Sequence, residues 1–141
     1  MKLILDTGIL ISALIKESSI NRHVLLMPIF DFYLPEYAVD EINRHKEKIA
    51  ELSGLTKDEL TVLFSILLER VTIVTSEIVK PYIKKAEGLI GHRDKKDVTF
   101  VALALAIEND GIWTNDKDFS AVSGIKVWNT KDILDYLSAN H

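Results

Sequence analysis

The chain has 141 residues, enough for one core of ordinary size, and a chain of this length buries roughly 65–70% of its extended surface without covalent staples. A hydrophobic content of 48% and a charged content of 27% exclude a disordered polypeptide, and the lack of cysteine excludes disulfide scaffolds, zinc fingers and thiol nucleophiles. Seventeen Lys and Arg against 21 Asp and Glu give a net charge of −4, which by itself attracts neither nucleic acid nor an anionic membrane. The average hides an asymmetry: six cations against two anions between Lys80 and Lys96 leave +4 there and −8 elsewhere. A solvated helix face and a substrate-facing surface are both consistent with it.

In chain order, Leu3-Ile4-Leu5 is a short apolar run that stops at Asp6, and Thr7-Gly8 leads into a helical pattern from Ile9 to Lys16. A second amphipathic stretch, Ile20 to Met27, ends at Pro28, and the aromatic run Phe30 to Leu34 predicts a second strand. Pro35 closes that strand and starts a helix predicted over Glu36 to Leu52, with Ala38, Ile42, Ile49 and Leu52 on one stripe and a partly buried His45 beside them. Thr56-Lys-Asp-Glu59 fits a capping box before a helix whose stripe is Leu60, Leu63, Phe64, Leu67 and Leu68. Val71 to Val74 predicts a third strand, followed by a helix around Pro81 to Leu89 with the proline in its first turn. From Val98 to Ile107 only Thr99 is not apolar, so that helix must be covered nearly all round. Gly111 to Thr114 and Ile125 to Trp128 predict two more strands, and Asn129 to Ala139 a closing helix with Ile133, Leu134 and Leu137 inward.

Short strands alternate with helices and no tight hairpin joins neighbouring strands, so the crossovers should be right-handed. The expected fold is α/β, a three-layer α/β/α arrangement with a central parallel sheet of about five strands, as a single domain over 1–141. No run reaches the ~18 to 20 apolar residues of a membrane span. Leu3 to Ile15 superficially imitates a signal peptide, but Asp6 interrupts it, so the expected location is the cytoplasm.

In an open parallel sheet, ligands bind beyond the carboxyl ends of the strands, near the point where the winding reverses. The polar residues expected there are all acidic: Asp6 after strand one, Asp116 and Asp118 after strand four, Asp97 opening the apolar helix, and Glu41 on the helix after strand two. Each has an ordinary alternative, since Asp6 could cap a helix, Asp97 could favour a helix dipole, and Asp116 or Asp118 could shape a turn. Jointly they would repel one another unless a cation neutralised them, and oxygen-only ligands favour Mg²⁺ or Mn²⁺ over zinc. Such an ion activates water and stabilises charge on a phosphate, which outlines a phosphodiester hydrolase.

Four segments then resemble, in order and over nearly the whole chain, the PIN-domain family of metal-dependent ribonucleases, which includes the VapC-type toxins. They are Leu3-Ile-Leu-Asp6-Thr7 with Leu10-Ile-Ser-Ala13; Pro35-Glu-Tyr-Ala-Val-Asp-Glu41-Ile42; Asp94-Lys-Lys-Asp97 with Ala102-Leu-Ala104; and Trp113-Thr114-Asn115-Asp116-Lys117-Asp118-Phe119. The resemblance implies that Asp6, Glu41, Asp97 and Asp116 form the family's acidic quartet, with Asp118 a fifth contributor and Asp94, Thr7, Thr114 and Asn115 secondary candidates. Asp40 is the alternative to Glu41 if the helix is rotated by one residue. Many relatives carry Asn where this chain has Gly8, which bears on rate and specificity more than on reaction type.

The resulting expectation is a Mg²⁺/Mn²⁺-dependent endoribonuclease in which Asp6, Asp97 and Asp116 hold the metal while Glu41 and Asp118 orient water. Lys84, Lys85, Arg93, Lys95 and Lys96 would face the RNA backbone. The toxin resemblance implies a small antitoxin partner and a homodimer. The four histidines lack ligand spacing, which argues against a histidine ribonuclease. Two rivals come from other classes. Asp6-Thr7-Gly8 is also the tripeptide of aspartic proteases, whose fold is nearly all β. A non-catalytic PIN-like module binding a metal or a partner is the other.

Overall fold

The structure, a computed structural model, describes residues 1–16, 19–90, 95–122 and 124–140. Strand β1 (Lys2–Leu5) is followed by helices α1 (Thr7–Ile15) and α2 (Ile20–Leu25), then by β2 (Asp31–Pro35). Helices α3 (Glu36–Arg44), α4 (Lys46–Ser53) and α5 (Lys57–Leu68) lead to β3 (Val71–Val74). The next crossover contains α6 (Ser76–Val79), a 3₁₀ turn (Lys80–Tyr82), α7 (Ile83–Ile90) and α8 (Lys95–Ala106) before β4 (Ile112–Trp113). A second 3₁₀ turn (Lys117–Ala121), β5 (Val127–Trp128) and α9 (Thr130–Asn140) complete the chain.

All strand pairs are parallel and the order across the sheet is β3-β2-β1-β4-β5. Leu3, Ile4 and Leu5 are fully buried because β1 lies at the centre, covered on both faces, which is why this strand reads as an unbroken apolar run. The chain winds outward through β2 and β3 and then returns across the sheet to β4. With right-handed crossovers, that reversal puts α6 to α8 on the opposite face from α1 to α5, giving three layers. It also opens the crevice between the carboxyl ends of β1 and β4.

Helix α8 packs on β1 and β2 and carries α6 and α7 on its other side. The run from Asp97 to Leu103 is buried without interruption, as a helix apolar all round requires. Gly111 admits β4 to the sheet at φ +134°, where an added Cβ would lie 2.6 Å from the Lys126 carbonyl oxygen. The capping box of α5 is present in both directions: the Glu59 amide donates to Thr56 Oγ1 at 3.1 Å, and the Thr56 amide donates to Glu59 Oε1 at 3.0 Å.

Several expectations about helix limits and burial need correction. The helix predicted over 36–52 is two helices, broken at His45 (φ −105°, ψ 16°), which is exposed rather than on a buried stripe. The break rotates α4 relative to α3, so the buried pair in α4 is Ile49 and Ala50, and Leu52 is 59% exposed. In α9, Leu134 is 37% exposed because this helix lies against the edge strand β5, which covers only the narrow stripe of Ile133, Tyr136 and Leu137. Pro81 sits in the 3₁₀ turn before α7, a position that tolerates its missing N–H.

Candidate metal centre

Asp6 leaves β1 at the first position before α1, with extended backbone and no side-chain bond to that helix, so it is not acting as a cap. The β1–β4 register sets Leu5 beside Trp113, and the next residues meet: Thr114 Oγ1 donates to Asp6 Oδ2 at 2.7 Å in a fully buried contact. The same hydroxyl accepts from the Asp116 amide at 3.0 Å. One threonine therefore joins the acid that ends β1 to the acid that follows β4.

Asp116 Oδ1 accepts from the Asp118 amide at 2.9 Å and so caps the 3₁₀ turn. This turn-shaping role is compatible with ligation, because a carboxylate offers about four lone-pair sites. Asp97, in the first turn of α8 and 6% exposed, completes the group. One ligand oxygen each from Asp97, Asp116 and Asp118 lies within 4.8 Å of the others. Like charges gathered so closely repel one another, and a cation among them would relieve that repulsion.

The compact trio holds Asp118 where the sequence-based metal set had Asp6. Asp6 stands next to it through Thr114, and its Oδ1 is buried without a hydrogen-bond partner among the described residues. Thr7 Oγ1 and Glu41 Oε1 are likewise buried with no hydrogen-bond partner among the described residues. Desolvated acceptors of this kind are costly unless something donates to them or coordinates them. Helix α3 contacts α8 and turns Glu41 half inward while Asp40 is exposed, with Ala38 and Ile42 buried on the same helix. Hard oxygen donors, a tight carboxylate trio and orphaned buried oxygens fit Mg²⁺ or Mn²⁺.

Asn115 points away from the acids, to Thr130 at the start of α9, a residue that no motif singled out. Lys84 and Lys85 are exposed on α7, and Lys96 is half-buried on α8. Asp94, Arg93 and the side chain of Lys95 lie outside the described residues.

A PIN-domain family model matches residues 4–138. The chain belongs to the PIN-domain family. Its fold is similar to that of a chain in the crystal structure of VapBC2 from Rickettsia felis bound to a DNA fragment from their promoter. The TM-score is 0.71 and the identity 20%, over 92% of this chain and 98% of that one. A search of curated proteins finds no significant match. The family model begins within β1 and ends within α9, so this PIN domain includes every acidic residue of the site.

Proposed function

We propose that this PIN-domain protein is a Mg²⁺/Mn²⁺-dependent endoribonuclease, acting as the toxin of a toxin–antitoxin pair. The observation that carries the nuclease reading is the convergence of Asp97, Asp116 and Asp118 within 4.8 Å beside the Thr114-tethered Asp6. Asp97, Asp116 and Asp118 would hold the ion, with Asp6 and Glu41 supplying further oxygens to it or to its waters. When bound, the metal supplies a water of lowered pKa and neutralises charge developing on the phosphate. Thr114 holds Asp6 by its Oδ2, which leaves Oδ1 as the oxygen that would reach the ion or its waters. Glu41, with a buried acceptor oxygen, orients the attacking water and takes its proton. Lys84, Lys85 and Lys96 would neutralise the RNA backbone. In-line attack would leave a 5′-phosphate and a 3′-hydroxyl.

The decisive experiment incubates the purified chain with end-labelled RNA and with DNA of the same sequence, in Mn²⁺, in EDTA and in EDTA with Mn²⁺ restored. Cleavage of RNA that EDTA abolishes and Mn²⁺ restores is expected, and Asp6→Asn should lower the rate by roughly 10² or more while leaving the fold intact. Metal-independent cleavage, or full activity in Asp6→Asn, would refute the reading. Stabilisation by Mn²⁺ without cleavage of any RNA would instead identify a non-catalytic module.

The antitoxin part draws on the structural likeness to the VapBC2 complex and on a groove of about 610 Å³ between α1, α2 and α5 whose lining also includes Arg22, Ser53, Asp58 and Glu59. Ile15, Leu55, Val62, Leu63 and Ile66 line it, with Val62 60% and Ile66 48% exposed. Co-expression with the product of a small adjacent reading frame should yield a complex that protects Val62 and Ile66 and silences the nuclease. The homodimer is checked by light scattering of the free chain.

A further inference from the structure

The loop from Thr114 to Asp118 supplies two of the three clustered carboxylates, and its geometry depends on what anchors each side of Asp116. Downstream, Phe119 is fully buried with its ring edge-on to Phe100 at 6.4 Å, on the same helix as Asp97. Upstream, Asn115 anchors the loop alongside the bond from the Asp116 amide to the Thr114 hydroxyl. Its Nδ2 donates to Thr130 Oγ1 at 3.1 Å and its Oδ1 accepts from the Thr130 amide at 2.9 Å, a reciprocal two-point contact with the first residue of α9.

The Thr130 hydroxyl is fully used. It accepts from Asn115 Nδ2 and from Trp113 Nε1 (3.2 Å), and it donates to Asn21 Oδ1 at 2.9 Å. A hydroxyl has one donor and two acceptor sites, and all three are filled here. Asn21 Nδ2 in turn donates to Ser12 Oγ at 2.6 Å, on the helix that follows Asp6. The chain of bonds thus runs from the loop that carries Asp116 to α9, α2 and α1.

We propose that Thr130 is a positioning residue of the metal centre. With Asn115 as its arm, it clamps the Asp116–Asp118 loop against the mutual repulsion of the three carboxylates. A metal site needs its ligands held to within about 0.5 Å, and a loop of exposed residues does not hold itself so closely. Rotation of the Asn115 side chain breaks both of its bonds to Thr130, one to the hydroxyl and one to the backbone amide, while the other two hydroxyl bonds keep Thr130 itself in place. The proposal rests on the metal-binding reading above and goes beyond it, because Thr130 touches neither the ion nor the substrate.

The test is Mn²⁺ binding to the full chain, read as loss of the free-ion signal in electron paramagnetic resonance, for wild type, Thr130→Val, Thr130→Ser, Asn115→Ala and Asp116→Asn. Thr130→Val and Asn115→Ala should weaken Mn²⁺ binding by roughly 10- to 100-fold, the scale on which groups that orient metal ligands act, whereas Thr130→Ser should bind as wild type does. The indole N–H resonance of Trp113 should move in Thr130→Val and stay in place in Thr130→Ser. Wild-type affinity in both Thr130→Val and Asn115→Ala, alongside weakened binding in Asp116→Asn, would overturn the clamp and leave the metal reading standing. A lowered melting temperature in Thr130→Val without a change in affinity would make Thr130 a stability residue only and overturn the proposal. Equal, negligible binding by wild type and Asp116→Asn would remove both readings. If Thr130→Val does not fold, Asn115→Ala decides between the same outcomes, since that side chain is exposed.

Discussion

Thr114 shows how much of the site depends on a single atom. Its hydroxyl is almost fully buried, donates to Asp6 and accepts from the Asp116 amide, so that acids 110 positions apart in sequence share one oxygen. Thr114→Val keeps the shape and removes both bonds. It should lower kcat for RNA cleavage by roughly 10²-fold with little change in KM, whereas Thr114→Ser keeps most of the rate. Steady-state kinetics on a short RNA check this, and a wild-type rate in Thr114→Val would show that Asp6 needs no tether. Asp6, Asp116 and Asp118 were legible in the sequence because they follow strand ends, where a parallel sheet places its ligands, and Asp97 because it opens the apolar helix. Thr130 was not, because its three hydroxyl partners lie 15, 17 and 109 positions away and no local pattern reports them.

Among the elements, those with strong local signals formed as expected and those depending on neighbours did not. Helix α5 starts at its capping box, where the Thr56 amide and then the Thr56 hydroxyl hold the Glu59 carboxyl below its ordinary value of 4.5. The sign follows: the box stabilises the fold above that value and loses its contribution as pH falls through the lowered one. The difference in melting temperature between wild type and Glu59→Ala should therefore be present at about pH 7 and shrink towards about pH 3, as thermal unfolding across that range would show. A gap unchanged at acid pH would mean that the charged form plays no part. The break at His45 had no such signal. Ala38, Ile42 and Ile49 are in phase with a continuous helix, and only the packing of α4 against α1 and α5 turns the chain there.

For the whole molecule, the proposed metal site links stability to divalent-ion binding, because an ion held by the three carboxylates would offset their mutual repulsion. Saturating Mn²⁺ should raise the melting temperature, with about 2.7 kcal/mol of stabilisation once the ion is at about 100 times its Kd. Asp118→Asn should lose most of that response to Mn²⁺. Thermal scans of both proteins with and without the ion test this, and an equal Mn²⁺ response in the two would remove Asp118 from the ligand set.

The order of strands and helices, the parallel sheet and the acids at its carboxyl edge follow from apolar periodicity and from where polar residues interrupt it, which are local properties of the chain. Which three carboxylates come within reach of one ion was decided by tertiary structure alone. The register of β1 against β4, the turn after β4 and the first turn of α8 are positioned by contacts between residues far apart in sequence. Asp118 joins the compact trio while Asp6 is held beside it by Thr114, because ångström-scale distances are set by packing and hydrogen bonds across the core.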